Sequence, residues 1–211
     1  MNEKIKPDYE KYSKYLKESI IVAEKQLESF DLFIEIAEKV KELVSSGGTV
    51  FFCGNGGSAA DSQHLAAELI GRFKKDRNPI KSIALTTDTS VITSNANDIG
   101  YNKIFERQVE ALCEKGDVLI GLSTSGESIS VLKAIEAANK NNVFTIGFTK
   151  SGDNTLSKIA QLSIQVPTEE TGIIQQSHIT FGQLLCYFLE EELDEMVNHA
   201  TLEMNTKLKT I

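Results

Sequence analysis

From Tyr9 to Ser46 the apolar residues recur at three- and four-residue steps. Leu16, Ile20, Val22, Ala23 and Leu27 make one series, and Phe33, Ile36, Ala37, Val40 and Leu43 make another. That period predicts helix. Phe30-Asp31 is expected to divide the stretch in two, and Gly47-Gly48 to end the second helix. Each helix then has an apolar stripe to cover. One is expected to pack on the sheet and the other to serve a subunit contact, because a stripe left facing water is a liability.

Beyond Gly48 the period changes. Short apolar runs predict strands at Thr49–Cys53, Ser82–Thr86, Asp117–Leu122, Val143–Phe148 and Leu162–Val166. Helical stretches lie between them, near Ser58–Phe73, Ser90–Asn95, Lys103–Glu114, Ser128–Asn141 and Asn154–Ile159. Strands alternating with helices predict an α/β fold, a parallel sheet with helices on both faces. The runs are continuously apolar, as strands covered on both sides require. Pro167 closes the last strand. A long helix is predicted from about Thr171 to beyond Glu195, with Ile174, Ile179, Leu184, Leu185, Phe188 and Leu189 among its apolar positions. The expected organisation is an N-terminal helical segment over residues 1–48, one α/β domain over residues 49–193, and a polar, weakly periodic tail over residues 194–211.

The chain of 211 residues fits one large domain. With 41% hydrophobic and 25% charged residues it can form a core and is not disordered. A net charge of -8 argues against a general nucleic-acid binder, so no direct nucleic-acid partner is expected. It leaves room for a small anion, which a nest of backbone N–H groups can hold inside an acidic protein. Cys53, Cys113 and Cys186 lack metal or disulfide spacing and read as small core residues in a reducing compartment. No apolar run approaches the ~18 to 20 residues of a membrane span. The charged N-terminus is unlike a signal peptide. A cytoplasmic location and no membrane partner are therefore expected.

Two polar loops carry the candidate chemistry. Gly54-Asn55-Gly56-Gly57-Ser58 follows a predicted strand and opens a predicted helix. Glycine permits close backbone approach, and the helix start offers unpaired N–H groups to an anion. A tight strand-to-helix turn needs glycine too. The nucleotide signatures, GxGxxG with its ribose-binding acid and GxxxxGK[ST], are missing, so no nucleotide cofactor is expected. Ser123-Thr124-Ser125-Gly126-Glu127-Ser128 repeats the arrangement after the third strand. A helix cap needs one hydroxyl, which Ser128 can supply, yet four are present. Both loops fall at carboxyl ends of strands, where open parallel sheets bind ligands. Together they predict a site for a phosphorylated sugar.

The segments GNGGS, SAADSQHLAAELIGRF, ALTTDTS, ND followed by GY, and GDVLIGLSTSGES together resemble the sugar isomerase (SIS) family. Within it they are most similar to the phosphoheptose isomerases, over about residues 10–193. The resemblance implies a single SIS domain: a five-stranded parallel sheet in flavodoxin-like order, with two N-terminal helices and a long C-terminal helix. It implies interconversion of sedoheptulose 7-phosphate and D-glycero-D-manno-heptose 7-phosphate, at the start of bacterial heptose synthesis for lipopolysaccharide or capsule. It also implies a homotetramer, with zinc in the active site of some members. Carried across, it assigns the phosphate to Ser123, Thr124, Ser125 and Ser128. Sugar hydroxyls fall to Asn55, Gly56, Gly57 and Ser58, and to Asn97 and Asp98. His64, Glu68 and Gln175 lie near the reacting carbons.

Aldose–ketose isomerisation asks for such groups. A proton next to a carbonyl is removed and returned to the neighbouring carbon through an enediol, which needs a base, a proton carrier between the two oxygens, and a partner for the oxyanion. His64 and Glu68 are four apart on one predicted helix and share a face, two to three turns from the phosphate loop. Glu68 is the candidate base. Without the loops, such a pair is an ordinary surface pair.

The last helix departs from the family pattern, RIQExHxxxxH, whose final His is a catalytic acid or base and a zinc ligand. Here residues 173–183 read IIQQSHITFGQ. Gln175 and His178 match, but Ile173 replaces the Arg and Gln183 replaces the final His. Gln183 cannot titrate and is a poor zinc ligand, though it can hydrogen-bond to an enediolate oxygen. A zinc shell over His64, Glu68, Gln175 and Gln183, one ion per subunit, is thus short of one strong ligand. His178 lies about 140° in azimuth from Gln183 and reads as a packing residue. His199 in the tail reads as solvated. Two readings follow: an isomerase in which Glu68 does most of the proton work, or a non-catalytic SIS protein that binds sugar phosphates or protein partners. A tetrameric replication-initiation factor of the family, which also lacks that His, is of the second kind. Glu68 favours the enzyme, because pure binding has no need of a carboxylate beside the substrate carbons.

Overall fold

The computed structural model describes the backbone of residues 8–208 and the side chains of residues 8–193. The apolar runs form strands β1 (Val50–Gly54), β2 (Ser82–Ala84), β3 (Val118–Leu122), β4 (Phe144–Lys150) and β5 (Leu162–Val166). All pair in parallel, in the order β2-β1-β3-β4-β5. This is the flavodoxin-like order that the resemblance implies. Every residue of β1 and β3 is buried, because successive side chains enter cores on opposite faces. Val50 and Phe52 join Phe33, Ile36, Leu65, Phe181 and Leu185 on one face. Phe51 and Cys53 join Phe105, Val109, Val131 and Ile135 on the other. The strand order reverses between β1 and β3, so their carboxyl ends flank a crevice.

The connecting helices are α3 (Gly57–Ile70), α4 (Thr89–Asp98), α5 (Glu106–Leu112), α6 (Ile129–Lys140) and α7 (Thr155–Ile159). Ahead of the sheet lie α1 (Tyr9–Gln26), a 3-10 turn at Leu27–Ser29, and α2 (Phe30–Ser45). The break thus precedes Phe30, which opens the stripe of α2; its ring centroid is 5.8 Å from that of Phe33. Phe33, Ile36, Ala37 and Val40 bury α2 on the sheet, whereas α1 buries Val22 and exposes Tyr9, Tyr12, Leu16 and Ile20. The helix expected from Lys103 instead begins at Glu106. A 3-10 turn, Tyr101–Lys103, precedes it, entered through Gly100 at φ 98.

The last helix, α8 (Thr171–Leu208), lies beside α3 and runs in the same direction. Gly57 faces Gln175, Leu65 faces Gly182 and Cys186, and Glu190 meets the backbone of Phe73, Lys74 and Lys75 just beyond α3. That buried carboxylate accepts N–H bonds of 2.9, 2.7 and 2.8 Å from those three residues, and Arg77 Nε lies 3.3 Å from its Oε2. Burial alone would raise the Glu190 pKa, but the three N–H donors and the guanidinium outweigh it and hold it below the usual range. The helix backbone continues through residues expected to form the tail; their side chains, His199 included, lie outside the described residues.

Cys53, Cys113 and Cys186 are free and buried. Burial pushes the Cys113 and Cys186 thiols up to about 12, which leaves them inert. No helix among the described residues is long and apolar enough to cross a membrane.

Candidate functional site

The glycine-rich loop leaves β1 and the serine loop leaves β3, so the two meet at the crevice. Asn55 joins them. Its Nδ2 donates to Ser128 Oγ at 2.7 Å and to Ser130 Oγ at 2.9 Å, and its Oδ1 accepts from Tyr101 Oη at 2.7 Å. Gly126 turns the serine loop at φ 72, where an added Cβ would come within 2.3 Å of Asn154 Oδ1. Only glycine fits there.

The helices leaving the sheet differ in how they begin. After β2 and β4, Asp88 and Asn154 cap α4 and α7 with their own side chains. After β1 and β3, α3 and α6 begin without a side-chain cap. Ser128 stands at the cap position of α6, yet its hydroxyl accepts from Asn55 instead. The crevice is therefore flanked by two helix N-termini with exposed dipole ends. Nearby, Ser123 Oγ accepts from Gly126 N at 3.2 Å and Ser125 Oγ from Glu127 N at 3.1 Å. A hydroxyl that accepts in this way keeps its own hydrogen to donate. The Glu127 carboxylate turns away and accepts from Thr155 N and Oγ1, bonds that lower its pKa.

Further along α3, His64 Nε2 lies 3.0 Å from Glu68 Oε1, with His64 more exposed (47%) than Glu68 (22%). Asp61, one turn earlier, has a buried Oδ2 without a hydrogen-bond partner. Burial raises its pKa and the His64 charge opposes that shift. Arg77 Nη2 donates to the Glu68 carbonyl at 2.8 Å, and Nη1 to the Leu69 carbonyl at 2.9 Å, which closes the end of α3.

The structure thus brings Asn55 to Ser128, Ser123 to Ser125, His64 to Glu68, and Gln175 to Gly57. Gly56 lies exposed at the turn, Ser58 is buried against Gly54, and Thr124 is half-buried in the serine loop. Gln183 is half-buried beside Gly182, the residue that touches Leu65. Asn97 and Asp98 are exposed at the end of α4 and bond to each other at 2.8 Å. The residue of that segment that reaches the loops is Tyr101. His178 is fully buried, its ring centroid 5.8 Å from that of Phe148, and neither ring nitrogen has a hydrogen-bond partner. Sequence reasoning missed Tyr101, Ser130, Asp61 and Arg77. For Tyr101 and Ser130 the signal was present, in the ND-GY segment and in the serine spacing of SGESIS.

These residues do not fit a zinc ion. His64 and Glu68 are turned toward each other, and the remaining two positions, Gln175 and Gln183, offer neutral amides. Among the described residues no group of three or more His, Cys, Asp or Glu side chains could hold a metal.

A family model described as SIS domain matches residues 11–150, both N-terminal helices included. Phosphoheptose isomerase of Rhodospirillum rubrum is 52% identical over 159 residues, 75% of this chain and 85% of that protein. The Aquifex aeolicus phosphoheptose isomerase is 46% identical over 190 residues, 88% of this chain and 98% of that one. Among solved structures, the Neisseria gonorrhoeae phosphoheptose isomerase superposes with a TM-score of 0.81 at 33% identity, over 87% of this chain and 98% of the other.

Proposed function

Because this chain belongs to the SIS-domain family and, within it, to the phosphoheptose isomerases, we propose that it is a sugar-phosphate isomerase acting on sedoheptulose 7-phosphate through an enediol. The observation that carries this reading is the pair of uncapped helix starts at the crevice, with a His–Glu pair further along one of those helices.

In this reading Ser123, Thr124, Ser125 and Ser128 donate to the phosphate oxygens, aided by the N-terminus of α6. Gly56, Gly57 and Ser58 meet sugar hydroxyls; Asn97 and Asp98, which bond to each other at the end of α4, would have to part to join them. Glu68 takes a proton from C1 of the ketose and returns it to C2, leaving the aldehyde at C1. His64, hydrogen-bonded to Glu68, moves the proton between O1 and O2. Gln175 and Gln183 hydrogen-bond to the enediolate oxygens, the part left to Gln183 by an amide that cannot titrate. No step is routed through a metal, because the donor set is short of a zinc shell. We further propose a cytoplasmic homotetramer, in which the exposed stripe of α1 finds cover.

The test is turnover of sedoheptulose 7-phosphate by the purified protein, with added zinc and with a chelator. Equal turnover under both conditions is expected. Binding of the sugar phosphate without turnover, even with zinc, would instead support the non-catalytic reading that the exchange at Gln183 raises.

A further inference from the structure

The Asn55 amide has one acceptor oxygen and two donor hydrogens, and all are engaged. Tyr101 Oη takes the oxygen at 2.7 Å, and Ser128 Oγ and Ser130 Oγ take the hydrogens at 2.7 and 2.9 Å. We infer that Tyr101 is a positioning residue for phosphate binding: by claiming the Asn55 oxygen it fixes which end of the amide faces the serine loop, and so keeps the Ser128 hydroxyl hydrogen free for an anion. This rests on the reading of that loop as a phosphate site.

An amide can turn over in place, exchanging its oxygen and nitrogen. Turned over, Asn55 would present its oxygen to Ser128 and Ser130. Their hydrogens would then point at Asn55, and an arriving phosphate would meet lone pairs. Ser123 and Ser125 do not share this weakness. Their oxygens accept from the backbone N–H groups of Gly126 and Glu127, which cannot be reversed. Ser128 alone among these three depends on a reversible donor, so its donor needs a lock. A phenol is a stronger hydrogen-bond donor than an aliphatic hydroxyl, so Tyr101 wins the amide oxygen.

Tyr101 is built for that task. Its 3-10 turn is anchored by Ile104 and Phe105, which are 1% and 2% exposed, while Tyr101 itself is 55% exposed at the lip of the crevice. Removing its hydroxyl leaves the core and the turn untouched.

The experiment compares wild type, Tyr101→Phe and Asn55→Asp in the full chain, by calorimetry with inorganic phosphate, sedoheptulose 7-phosphate and sedoheptulose. Tyr101→Phe is expected to weaken both phosphorylated ligands about three- to tenfold, the worth of one hydrogen bond, with sedoheptulose and the melting temperature unchanged. In turnover the loss falls on KM, with kcat held within about twofold. Asn55→Asp, which offers the serines only acceptors, is expected to lose at least as much phosphate affinity. Phosphate binding by Tyr101→Phe equal to wild type, or a fall in kcat at constant KM, overturns the inference. Wild type that binds sedoheptulose as tightly as its phosphate overturns the phosphate-site reading itself.

Discussion

A β-carbon on Gly57 would lie 2.3 Å from Nε2 of Gln175, so the first residue of α3 and the side chain from α8 occupy adjoining space with no room for a methyl group. The contact joins the glycine-rich loop to the helix that carries Gln183. Gly57→Ala is therefore expected to push Gln175 aside. Turnover should fall about tenfold to a hundredfold, the usual effect of displacing a positioned group by about an ångström. The melting temperature should move little, since Gly57 is exposed. Steady-state kinetics beside a thermal melt checks this, and full turnover would show that the position of Gln175 is unimportant.

Glu68→Gln keeps the shape of the side chain and removes the proposed base. Isomerisation is expected to drop by about a thousandfold, within the range of general-base contributions, while sedoheptulose 7-phosphate still binds within a few-fold of wild type. Single-turnover kinetics and calorimetry separate the two. Activity that survives the change would mean that another group takes the proton.

Glu190→Gln removes one partner of a buried ion pair and turns an amide hydrogen toward backbone N–H groups. Removing one partner of a buried pair costs about 3 to 5 kcal/mol, because the other charge is left uncompensated. In a domain of this size that lowers the melting temperature by about 6 to 20 °C. A change under about 2 °C would show that the pair contributes little.

His178 makes stability depend on pH. Burial lowers its pKa to about 4, and the Thr149 backbone, without a hydrogen bond of ordinary geometry, offsets this only in part. The folded group stays neutral while the unfolded one gains a proton near the ordinary histidine value of 6.5. Above that value His178 has no effect. As pH falls toward 4 the unfolded state binds the extra proton, and about 3 kcal/mol of stability is lost. Urea unfolding from pH 7 to pH 4 should show this loss, and His178→Leu should flatten it. Parallel curves for the two proteins would refute the assignment. Glu190 adds a separate loss at lower pH, since its depressed pKa contributes stability that disappears as pH falls below the ordinary carboxylate range.

The sheet was legible because its strands are unbroken apolar runs, and the two loops because glycine and serine cluster where those runs end. What could not be read depends on partners distant in the chain. Arg77 and Glu190 look like ordinary surface charges until the fold closes over them. The first helix break was expected at Phe30-Asp31 but falls at Leu27–Ser29; the contact of Phe30 with Phe33 makes that residue a beginning. Whether Ser128 caps its helix or faces Asn55 was undecidable from spacing, because Asn55 lies 73 residues away. Tyr101 was visible as part of a motif, but its hydrogen bond was not.

The side-by-side course of α3 and α8 limits how a chain of this kind can vary. Gly57 against Gln175, Leu65 against Gly182, and the turn after α3 against Glu190 keep one register along the whole contact. One residue added to α8 between Gln175 and Glu190 would rotate everything beyond it by about 100°, so one of those matings would have to be given up. Length is frozen there, as are the residues that mate, while a position between them such as Gln183 stays free to change. An exchange at Gln183, half-buried beside Gly182, can alter the local chemistry inside a frame whose spacing cannot change.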